Sequence, residues 1–68
     1  MSVTARTVAA SVDRWIAEAA RLEPREAHRW LTRKARFVNR ELTRCAGPAF
    51  ALANGRDRLM AAARRLAA

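Results

Sequence analysis

The sequence predicts an all-α fold, a small bundle of two long helices with one or two shorter helices at the C-terminal end. Three observations predict it. Apolar residues recur at three- and four-residue intervals through most of the chain. Pro24 and Pro48 fall between such segments, where proline stops one helix and suits the opening of the next. β-branched residues are few and no turn joins two alternating segments, so nothing reads as a strand. The 68 residues are expected to form a single domain, residues 1–68.

In the first element Val8, Val12, Trp15, Ile16, Ala19 and Leu22 keep helical spacing, and Asp13, Arg14, Glu18 and Arg21 lie mostly elsewhere around the axis. The predicted helix runs from Thr4 to Leu22, with Thr4 or Ser2 as its cap and Thr7 as an alternative start. Only Leu22 to Pro24 separates it from the next, which makes an antiparallel hairpin the economical geometry. The second helix is predicted from Pro24 to Ala46, ending on Gly47 in the left-handed conformation that a helix C-terminus favours. Beyond Pro48, the segment Ala49 to Ala53 is a short turn or the start of a longer helix. Asn54-Gly55 is the ambiguous point, and a break there is the favoured reading, with Asn54 capping a final helix. Leu52, Leu59 and Leu66, seven apart, with Ala63 beside them, make one apolar seam in either version.

So short a chain buries only about 60% of the surface its unfolded form exposes. Small domains add disulfides, a metal or a second subunit. One Cys and one His leave little for the first two, so a homodimer is expected. The lone Cys45 also fits a reducing, cytoplasmic compartment. Asp13, Arg14 and Glu18 interrupt what an apolar leader would require. No uncharged run approaches the roughly 20 residues that span a bilayer, so no membrane span is expected.

The net charge is +8, which favours polyanions or acidic protein surfaces. Abundant alanine and arginine are also what GC-rich codon usage writes, but such a bias predicts scatter. The charge is instead concentrated: residues 25 to 44 hold seven basic and two acidic residues, residues 1 to 22 three basic and two acidic. Within the concentration, Arg25, Arg29, Arg33, Arg36, Arg40 and Arg44 repeat at three- and four-residue spacing and fall on one face of one helix. Ala27, Trp30, Leu31, Val38, Leu42 and Cys45 fall on the other. The six arginines are the candidate surface for nucleic acid or another anionic partner, because guanidinium groups make paired hydrogen bonds to phosphate and carboxylate alike.

Enzyme chemistry finds no constellation. His28 is nearly five turns from Cys45 on the same predicted helix, about 25 Å away at 1.5 Å per residue, so the two cannot form a nucleophile and base within one chain. Cys45 shares the apolar side with Leu31 and Val38 and is expected to be a small packed core residue. His28, at the border of the faces, is expected to be exposed or locally hydrogen-bonded. No carboxylates pair, no glycine-rich phosphate loop exists, and no cofactor, metal or small-molecule substrate is expected.

Trp15, Trp30, Phe37 and Phe50 are first of all packing residues. Trp30 and Phe37 lie at the edge of the apolar side next to Arg33, so they are also possible partner contacts. Lys34 and Glu41 project into an otherwise apolar side, where a lone charge is costly. They either snorkel to solvent or meet across a dimer axis, Lys34 of one copy against Glu41 of the other. The expectation is a basic helical binding protein that contacts nucleic-acid phosphates through the arginine stripe. The alternative is a protein-binding adaptor or inhibitor that docks on an acidic surface of a larger protein. Helix-turn-helix reading of bases is disfavoured, because the segment after Pro48 is short and apolar.

Overall fold

Thr4 starts the first helix. In the computed structural model, which describes residues 3–67, its hydroxyl accepts from the Thr7 N–H at 3.2 Å while the Thr7 hydroxyl accepts from the Thr4 N–H at 3.0 Å. This reciprocal cap satisfies donors that the first turn leaves orphaned. Helix α1 then runs Ala5–Ala19, three residues short of the predicted end at Leu22. Arg21 and Leu22 donate to Glu18 and Ala19, at 3.0 and 3.1 Å, a tightened turn that winds the helix down. Glu23 is thereby extended, at φ −62° and ψ 147°, as the residue before a proline must be.

Helix α2, Pro24–Thr43, has proline in its first turn and no side-chain cap. It stops three residues before the predicted Ala46, because the left-handed position belongs to Cys45 at φ 55° and not to Gly47. The Cys45 N–H donates to Leu42 and the Ala46 N–H to Glu41, at 3.1 and 2.9 Å. That pair of bonds is a complete Schellman motif, built on a residue with a Cβ. The expectation of Cys45 as a core residue is therefore corrected. It is exposed, since the turn that closes α2 rotates it out of the apolar row. A non-glycine residue pays roughly 1 to 2 kcal/mol for this conformation, so Cys45→Gly should raise stability by about 1 kcal/mol, read as a higher urea midpoint at unchanged slope. Gly47 serves differently: a Cβ there would lie 3.1 Å from a Val3 methyl.

Helix α3 is continuous over Ala49–Ala67, and the break expected at Asn54 does not occur. Its first helical bond runs from the Leu52 N–H to the Pro48 carbonyl at 3.0 Å. Glycine inside a helix costs about 1 kcal/mol, but Gly55 is buried against α1, where an added Cβ would come within 3.0 Å of Val12 and 3.4 Å of Val8. The close crossing that its missing side chain allows outweighs the local preference for a turn.

The three helices run up, down and up. Arg58 pairs with Asp13 near the middle of the parallel helices α3 and α1. α2 lies antiparallel to α3, with His28 beside Ala63 and Asn39 beside Arg56. The broadest packing is between α2 and α3, and the narrowest between α1 and α2. The chain is thus organised around its second and third helices more than around the expected first hairpin. Among the described residues the buried set is Val8, Val12, Ala19, Ala27, Leu31, Ala35, Val38, Leu52, Leu59, Ala62 and Ala63. Five of the eleven are alanine, which lets the helices approach closely but leaves little apolar area to stabilise them. None of the described helices is long and apolar enough to cross a membrane.

Candidate anion-binding face

Helix α2 divides into four strips because 3.6 residues make a turn. Ala27, Leu31, Ala35 and Val38 are buried between α1 and α3. Opposite them Arg25, Arg29, Arg33, Arg36, Arg40 and Arg44 are all exposed. Their Cα atoms cover about 28 Å of axis and about 100° of its circumference. None takes part in an ion pair among the described residues, where the pairs found are Arg56–Asp57 and Arg58–Asp13. Six guanidinium groups are thus presented to solvent with no internal carboxylate to satisfy them.

The two flanks of this stripe differ in chemistry. Towards α3 lie His28, Thr32, Asn39 and Thr43. The His28 Nδ1 is 2.9 Å from the Ala63 carbonyl oxygen; a carbonyl only accepts, so Nδ1 carries a proton and the ring ties α2 to α3. Thr32 and Thr43 return their hydroxyls to the His28 and Asn39 carbonyls, at 2.8 and 3.0 Å. Arg56 of α3 donates to the Asn39 side chain at 2.9 Å, which brings another guanidinium to the edge of the stripe. A shallow hollow of about 330 Å³ lies along this flank, lined by His28, Arg29, Thr32, Arg33 and Arg36.

Towards α1 the flank is aromatic. Phe37 stands edge-on to Trp15, with ring centroids 6.4 Å apart at 83°, and is still 43% exposed. The Lys34 ammonium lies over both Trp15 and Trp30, 5.0 and 5.2 Å from the ring centroids. Within one chain the ring faces thus stabilise the Lys34 cation on an otherwise apolar side. Glu41 is half-buried on the wall of an apolar groove of about 170 Å³ between α1 and α2, with Trp15, Phe37 and Val38 among its neighbours.

Of the residues named from sequence, then, the six arginines share one solvent-facing strip, Trp30 and Phe37 border it, and Lys34 is engaged with the tryptophans. Sequence spacing does not find Arg56. Its place beside Asn39 depends on the register of α3 against α2, which no spacing along the chain encodes. Among the described residues no group of histidine, cysteine and carboxylate side chains converges as a metal site would require. The chain matches no known family model, curated protein or solved structure.

Proposed function

We propose that the protein binds nucleic acid, neutralising backbone phosphates with the arginine stripe of α2. The observation that carries this reading is the exposure of all six stripe arginines with no carboxylate partner among the described residues. A stabilising surface network would have interleaved acidic residues, and α2 has Glu26 and Glu41, neither of them in an ion pair with the stripe. Arginine forks suit phosphate, and a straight row about 28 Å long gives contact without base-reading groups, so affinity should depend little on sequence. Insertion into a membrane surface is a poorer fit, because Leu31 and Val38, the apolar face it would need, are 1% and 3% exposed.

One observation favours a second reading, docking on an acidic protein: exposed Phe37 borders the stripe beside half-buried Trp30, and aromatic residues next to arginine are common centres of protein interfaces. Salt titration separates the two. If all six arginines meet phosphates of a mixed-sequence duplex, the slope of log affinity against log salt is about −5.4, and affinity falls about a thousandfold between about 50 and about 200 mM salt. An unrelated duplex of equal length should give the same line. A duplex that fails to bind nuclease-treated protein at low salt, where poly-glutamate does bind, would overturn the nucleic-acid reading in favour of the acidic-surface one.

A further inference from the structure

Three rings stand on the aromatic flank of the stripe, and two of them are engaged. Trp15 and Trp30 are half-buried, and the Lys34 ammonium lies over both, 5.0 and 5.2 Å from their centroids. Phe37 is fixed by its edge-to-face contact with Trp15, yet it is 43% exposed. A ring needed only to close α2 against α1 would be turned inward, as its neighbour Val38 is, at 3% exposed. Phe37 instead keeps apolar surface in water, which favours covering it.

Its neighbours on the helix say what kind of group fits. Arg33 lies four residues before it and Arg40 three after, so their Cα atoms fall about 6 Å to one side of Phe37 and about 4.5 Å to the other along the axis, both on its stripe side. Both are exposed and free of ion pairs among the described residues. Lys34 and Glu41, on the α1 side of the ring, carry opposite charges and leave its electrostatics to the stripe. The order along the flank is cation, ring, cation. A nucleotide within a strand presents the matching order, phosphate, base, phosphate, and its base offers a flat π face. Acidic side chains alone would satisfy the guanidinium groups and cover no ring. In a duplex the base faces are already stacked on one another, so only an unpaired base reaches Phe37.

We infer that the stripe takes single-stranded nucleic acid, with one base stacked on Phe37 and the phosphates on either side of that base held by Arg33 and Arg40. Unpaired strand as the substrate rests on the nucleic-acid reading above. A duplex meets the stripe by charge alone, whereas a single strand adds the stacked base. Every base has a π face, so the gain depends little on sequence.

Fluorescence anisotropy separates the ring from the charge. The probes are oligothymidylate, an abasic strand with the same number of phosphates, and a mixed-sequence duplex. Wild-type protein should bind oligothymidylate about 5- to 100-fold more tightly than the abasic strand, the range that one base stacked on an aromatic side chain contributes. Phe37→Leu keeps an apolar side chain against Trp15 and removes the ring. It should lose that difference, with helicity, duplex affinity and the salt slope on oligothymidylate unchanged, because no phosphate contact is lost. Phe37→Trp, which keeps a ring, should retain the difference. Phe50→Leu is the control, since Phe50 is 89% exposed with no arginine in the turn before or after it, and it should behave as wild type. A wild type that binds both strands equally, a Phe37→Leu variant that still tells them apart or that loses duplex affinity to the same extent, or an equal loss from Phe50→Leu would each overturn the stacked contact. The nucleic-acid reading survives any of these results while wild type binds the duplex with the salt slope of the stripe. Protein that binds poly-glutamate and none of the three probes would remove both.

Discussion

Leu31→Ala should leave much of the protein unfolded near room temperature. Leu31 is 1% exposed and sits in mid-α2 where the three helices meet, near Ile16, Ala19 and Ala62. Removing its branched end opens a void that small, helix-fixed neighbours cannot close, and such truncations cost about 2 to 5 kcal/mol. Natural domains hold roughly 0.05 to 0.15 kcal/mol per residue, about 3 to 10 kcal/mol for a chain of this length, and a core with five alanines among its eleven described members belongs near the lower end. In a domain this small each kcal/mol of destabilisation lowers the melting temperature by about 4 to 8 °C, so a fall of about 10 to 40 °C is expected in the circular dichroism melt at a fixed concentration. Leu66→Ala is the comparison, since Leu66 is 38% exposed and should cost a fraction of that. Equal destabilisation at the two positions would mean that α2 does not pack as described.

The helical elements were legible because their causes are local. Period-3.6 patterning, two prolines and a threonine cap mark α1 and α2 without reference to the rest of the chain, and the same arithmetic sorts the arginines from Leu31 and Val38. What escaped the sequence is settled between helices. Asn54-Gly55 has the local character of a turn, yet α3 continues through it because α1 presses against the missing side chain of Gly55. Cys45 keeps apolar rhythm with Val38, yet it closes α2 because the short connection to Pro48 has to begin its reversal there. The pairing of Lys34 with Trp15, and of Arg56 with Asn39, is decided by register between elements. Nothing in the spacing along one helix carries that information.

Replacing Arg29, Arg36 and Arg40 together by glutamine should abolish most duplex binding and leave the fold intact. All three are exposed and free of ion pairs among the described residues, and glutamine is about as good a helix former as arginine, so the melting temperature should hardly move. Every phosphate left without its arginine takes about 0.9 from the salt slope, so the triple variant should flatten it by up to about 2.7. Its affinity would then fall only about fortyfold over the same fourfold rise in salt that costs the wild type about a thousandfold. The control removes equal charge elsewhere, through Arg6→Gln, Arg14→Gln and Arg21→Gln, which are exposed residues on α1 and the turn after it. If diffuse net charge drives association, the two triples weaken binding equally and flatten the slope by the same amount. If the stripe touches phosphates at discrete points, the control keeps the wild-type slope, because charges that touch no phosphate release no condensed counterions. A stripe variant that binds duplex as tightly as wild type at every salt concentration removes this face of α2 as the binding surface, whatever the control does.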